Sequence, residues 1–145
     1  MFGKNWPPPP VDRPAKEPAP CDTVGFVRPV NDLDLDRFVA VCGSDGDVAE
    51  IATFYLTYMS GQLDALHLAI DGRRIAEVEQ IAHRCVGSSG TCGMGPIVAP
   101  LAELERRARA GNLHDAFVLE SEARAALAQI DVALRDFVAR RPRQP

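Results

Sequence analysis

Ala82-His83-Arg84-Cys85-Val86-Gly87-Ser88-Ser89-Gly90-Thr91-Cys92-Gly93-Met94-Gly95 is the stretch on which the fold turns. Local rules end a helix at Val86, with Gly87 as its cap. A helix made only for packing would not collect Gly87, Ser88, Ser89, Gly90 and Thr91, since each helical glycine costs about 1 kcal/mol relative to alanine. Several functional explanations compete for the run. A phosphate-cradling loop needs a preceding strand and a Lys-Ser/Thr pair, and the chain has no lysine after Lys16. A nucleophile elbow needs Gly-x-Ser-x-Gly, and Thr91 stands where the second glycine belongs. A metal site from His67, His83, His114 and the thiols has no ligand pair at i, i+4. The remaining reading is a helix kept slim. Steps of three and four then place Glu79, Gln80, His83, Val86, Gly87 and Gly90 on one side. Gly87 and Gly90 remove side chains beside His83 and open the imidazole to another protein's surface. Ser88 and Ser89 are expected to bond back to the preceding turn.

Working outward, every other segment from residue 31 has helical period and no strand alternation competes. Upstream, Ile75, Val78, Ile81, Ala82 and Cys85 form the apolar stripe of the same helix, after an Asp71-Gly72 turn. Before it, Val48, Ile51, Ala52, Tyr55, Leu56, Met59, Leu63, Leu66 and Ile70 make a longer stripe, capped by Asp45 or Asp47, with Gly61 as a site of bending. Asn31 or Asp32 caps a short helix with Leu33, Phe38, Val39 and Val41, ended by Gly43. Downstream, Pro96 and Pro100 fit near the start of a helix carrying Leu101, Leu104 and Ala108, stopped by Gly111-Asn112. A last helix from about Asp115 to Ala139 turns Phe117, Ala123, Leu127, Ile130, Leu134 and Phe137 inward. The fold class is therefore all-α: an antiparallel, up-down-up-down four-helix bundle preceded by a short helix.

Residues 1–30 are different material, holding eight of the twelve prolines, Pro7 to Pro10 in a row. They are expected to be an extended, poorly ordered tether, with residues 31–140 as the bundle domain. Low aromatic content, 6%, suits a core of Ala, Val, Leu and Ile. The net charge of −4 argues against nucleic acid, which needs clustered positive charge. Arg106, Arg107 and Arg109 do cluster, but Glu103 and Glu105 beside them make a solvated helix face the simpler reading. The four cysteines form no CxxC pair, and Cys85 and Cys92, seven apart, would share one core face. No signal peptide and no apolar run of membrane-spanning length is visible, so a cytoplasmic monomer without a membrane role is expected.

On the His83 run the sequence resembles the histidine-containing phosphotransfer (HPt) domains of multistep two-component signalling. Their pattern is His-x-hydrophobic-Lys-Gly-Ser-Ser followed by a small residue, and His83, Cys85, Gly87, Ser88, Ser89 and Gly93 stand at those positions. The Phe54-to-Ile70 stretch, the Asp71-Gly72 turn and Leu101-Ala102-Glu103-Leu104-Glu105 before Gly111-Asn112 agree, so the likeness covers roughly residues 45 to 138. It implies that His83 accepts a phosphoryl group from the aspartate of a response-regulator receiver domain and passes it to another receiver. The protein is then a carrier with no catalytic activity or cofactor of its own. Mg²⁺ is expected on the receiver, and a hybrid histidine kinase is a further expected partner. Gln80, Arg84, Val86, Gly87 and Gly90 would meet the phosphate or the partner. One departure stands out: Val86 occupies the position of the family's lysine, and Arg73, Arg74 or an arginine of a neighbouring helix would have to compensate. Two other readings stay open, a module of the same fold that docks a receiver or kinase unphosphorylated, and a purely structural bundle.

Overall fold

A computed structural model describes residues 32–43 and 47–141. The proline-rich segment, Cys21 and the candidate caps Asn31 and Asp45 lie outside the described residues. Among the described residues five helices follow one another: α1 (Leu35–Cys42), α2 (Val48–Asp71), α3 (Ile75–Thr91), α4 (Gly95–Arg109) and α5 (Ala116–Arg140). In α2 to α5 each helix packs on two neighbours, α2 on α3 and α5, α4 on α3 and α5, which closes a four-membered ring. Cross-helix pairs run antiparallel at every seam, as in Gln62 with Arg84 and His83 with Glu105. The up-down-up-down bundle expected from the apolar stripes is what forms.

Local chemistry starts the two N-terminal helices. Asp47 caps α2, its side chain accepting from the Glu50 amide at 3.1 Å. Asp34, not Asn31 or Asp32, caps α1, accepting from the Arg37 amide at 3.0 Å. The shift arises because Leu33 is drawn into an antiparallel bridge with Met94, which keeps residue 33 extended and delays the helix. Gly61 lies inside an uninterrupted α2. Pro96 sits in the first turn of α4, but Pro100 lies in its interior, a correction to its placement near the start. Its missing N–H removes one bond to the Pro96 carbonyl, and the helix survives because Ile97, Leu101 and Leu104 are fully buried around it.

The core runs along the ring axis: Met59, Leu63 and Leu66 from α2, Val78 and Cys85 from α3, Leu101 and Leu104 from α4, Ile130 and Leu134 from α5. Each such fully buried side chain contributes about 1.5–3 kcal/mol. Burial pushes the Cys85 thiol up to about 11, so it stays protonated and serves as a small core residue. Cys92, at the C-cap of α3, is half-buried and packs against the same core from the helix end. Phe117 is the larger correction, exposed on α5 instead of inward, where its ring lies 5.1 Å from that of His67. The inward position at that level of the bundle belongs to Ala116 and Leu119.

Candidate functional site

Helix α3 continues unbroken through Gly87 and Gly90 to Thr91, because tertiary contacts hold its second half. Ser89 is the anchor. It is fully buried, and its hydroxyl pairs with the Tyr55 hydroxyl at 2.8 Å and donates to Met59 Sδ at 3.7 Å. Ser89 therefore does not bond back to the preceding turn, whereas Ser88 does, donating to the Arg84 carbonyl at 3.0 Å. The two adjacent serines do opposite jobs, one facing the core and one closing its own backbone.

The outward side of α3 carries His83, with 71% of its side chain exposed. Its Nδ1 lies 2.7 Å from Oε2 of Glu105 on α4, a carboxylate only 12% exposed. An ionised carboxylate only accepts, so the proton of the neutral ring sits on Nδ1 and donates to Glu105. Nε2 is left with its lone pair on the exposed ring. Arg109, one turn after Glu105, donates from Nη2 to the same Oε2 at 2.5 Å and from Nε to Glu79 at 2.8 Å. The buried charge of Glu105 thus meets one guanidinium and one neutral hydrogen-bond donor. Glu79, Gln80, His83, Arg84 and Arg109 line one shallow groove around the imidazole.

A Cβ built on Gly87 or Gly90 meets nothing within 4 Å, so these glycines are not required by packing. What they leave is a flat surface beside His83. Gly87→Ala is expected to raise stability by about 1 kcal/mol through helix propensity alone, read as a melting rise of about 4 °C. A fall in melting temperature would show that the glycine is structural. Gly93 is the contrary case: it has φ +80°, and a Cβ there would lie 2.4 Å from the Asp34 carbonyl oxygen.

Of the residues singled out in sequence, His83, Gln80 and Arg84 come together in the groove, with Gly87 and Gly90 on the same side of α3. Val86 is half-buried against the core and is not among the groove's lining residues. Arg74 is held by Glu77 at 2.6 Å, and Arg73 lines a separate depression with Gly111 and Asp115. The cation in the groove from a neighbouring helix is Arg109. Glu105 and Arg109, a solvated face by sequence alone, are parts of this site. The signal for Glu105 was symmetry: His83 and Glu105 stand eleven residues on either side of Met94, where the hairpin of α3 and α4 turns. Among the described residues no group of three His, Cys, Asp or Glu side chains is placed to hold a metal, and no helix is long and apolar enough to cross a membrane.

An antiparallel helical bundle that holds an exposed imidazole by a buried carboxylate and displays its other nitrogen defines a class of surface-histidine bundle proteins. Comparison with protein families gives the particular member of that class: the Hpt domain matches residues 50–136, more than half of the 145-residue chain, and the chain belongs to the Hpt domain family. Neither curated proteins nor solved structures gave a significant match. Membership supports a histidine phosphotransfer role in phosphorelays, in which Hpt domains interact with receiver domains and histidine kinases as carriers.

Proposed function

We propose that His83 is the phosphoacceptor, taking a phosphoryl group on Nε2 from a receiver-domain aspartate and passing it to a second receiver. The observation that carries this is the 2.7 Å bond from Nδ1 to Glu105, which leaves Nε2 unprotonated on an exposed ring beside Gly87 and Gly90. In the forward step the Nε2 lone pair attacks phosphorus and the P–O bond to the aspartate breaks. The aspartate leaves as carboxylate. The ring becomes a phosphoimidazolium whose Nδ1 proton remains on the Glu105 bond, where the opposite charge stabilises it. The return step reverses these bonds on another receiver. Such transfers proceed through a loose, charge-spread phosphoryl, so positioning and electrostatics do most of the work. Arg109 and Arg84 supply the positive charge that the family's lysine would bring at Val86. In this reading the Mg²⁺ belongs to the receiver, and the protein acts as a cytoplasmic monomer that carries the group without turning over substrate.

Incubation with a phosphorylated receiver tests this directly. An acid-labile, base-stable label mapping to His83 is expected; a label mapping only elsewhere, or none with any phosphorylated receiver, would overturn it. Glu105→Gln keeps an acceptor oxygen but loses the charge and the fixed tautomer. Single-turnover transfer to His83 should slow by about 10- to 100-fold, the range found for carboxylates that fix the tautomer and orientation of metal-binding imidazoles. An unchanged rate would remove Glu105 from the mechanism.

A further inference from the structure

The construction around His83 occurs a second time in the molecule. His67 on α2 places Nδ1 3.0 Å from Oε1 of Glu120 on α5, a carboxylate only 6% exposed. Arg124, one turn after Glu120, holds the other carboxylate oxygen and reaches Asp64 on the helix of the histidine at 3.0 Å. Each part has its counterpart: a half-turned-out imidazole, a buried glutamate across an antiparallel seam, an arginine four residues on, and an acid on the histidine's own helix one turn back. The same rule of donors and acceptors applies, so Nδ1 of His67 carries the proton and Nε2 is the free nitrogen. The third histidine, His114, lacks this construction: its Nε2 lies 3.5 Å from the exposed Asp115, and no buried carboxylate holds its ring.

We infer that His67 is a second phosphoryl-accepting histidine, on the α2–α5 seam. The proposal rests on the chemistry assigned to His83. Nε2 of His67 attacks the phosphorus of an acyl phosphate or phosphoramidate; the P–O or P–N bond breaks, and carboxylate or ammonia leaves. The Nδ1 proton stays on the Glu120 bond throughout. Two differences set its behaviour. Phe117 lies against the ring and Leu68 is exposed next to it in sequence, so the approach is apolar where that of His83 is glycine-flattened. Asp71, four residues on, shares the face of His67; Arg124 there answers to Arg109, and what the groove of His83 has in addition is Arg84. The phosphoryl on His67 is therefore held less well, by a factor of about 2 to 5 for one exposed like charge.

Site-resolved labelling of the folded wild-type protein with phosphoramidate, followed by mass spectrometry, separates this from simple exposure. Side-chain exposure ranks His114 at 77%, His83 at 71% and His67 at 50%. The structure calls for a different order, His83 first, then His67, with His114 last by about tenfold or more, and for faster loss of the label from His67 than from His83. In His67→Gln the second label disappears while the label on His83 persists. Labelling that follows exposure, with His114 ahead of His67, overturns the inference. Failure of His83 alone to label would count against the proposed function and leave His67 standing.

Discussion

His83→Gln protein mixed with a phosphorylated receiver is expected to take up no label on α3, a loss of more than about 10³-fold in transfer rate. A carboxamide has no nitrogen lone pair available for attack on phosphorus, Gln80, Arg84 and Arg109 offer none either, and the Glu79 carboxylate is tied to Arg109. The fold should be untouched. His83 is largely exposed, so the substitution opens no core cavity, and the Gln amide can still donate toward Glu105 while Arg109 keeps that carboxylate paired. Stability should stay within about 0.5 kcal/mol of wild type. Retained transfer from the receiver, with the label mapped to another residue of α3 or α4, would show that the oriented imidazole is not the acceptor. Loss of transfer together with loss of helicity would show that His83 is structural.

Gly93→Ala is expected to be strongly destabilising. The glycine sits at φ +80°, in the left-handed region where an L side chain costs about 1–2 kcal/mol. Its carbonyl accepts from the Asp34 amide at 2.8 Å, and the new Cβ would fall 2.4 Å from the carbonyl oxygen of that same residue. Backbone crowds backbone there, so no side chain can yield. The start of α1 would have to lift, breaking the Leu33–Met94 bridge and the 3.0 Å bond from Arg37 Nε to the Thr91 carbonyl. Strain and lost contacts together should cost about 3 kcal/mol, read as a melting fall of about 10 °C. His83 lies ten residues back along α3, so phosphotransfer measured well below the transition should be near normal. A melting temperature unchanged by Gly93→Ala would mean that α1 does not pack on the turn as described.

These two positions belong to one short motif, and they show how legible it was. That His83 is displayed beside glycines followed from helical spacing once the run was read as helix. Spacing did not tell Gly87 from Gly93, or Ser88 from Ser89. In the folded molecule Gly87 keeps a surface open, and Gly93 admits the backbone of α1. Ser88 satisfies its own turn, and Ser89 pins α3 to Tyr55 and Met59. Phe117 fails for a related reason. Periodicity ranks positions by face, but the start of α5 is rotated so that Ala116 and Leu119 take the inside.

The sequence by itself determined the bundle, because apolar residues at steps of three and four admit one way of burying four stripes at once, and short connections make the helices antiparallel. It also determined which imidazole is flanked by missing side chains. Only the tertiary structure decided what that imidazole is chemically. Nδ1 lies 2.7 Å from Glu105, 22 residues away in sequence, and Arg109 reaches the same carboxylate and lines the groove from the neighbouring helix. Long-range pairs of charged groups leave no periodic trace in a chain. They are fixed by the register of packed helices, and that register is set by core side chains that take no part in the chemistry.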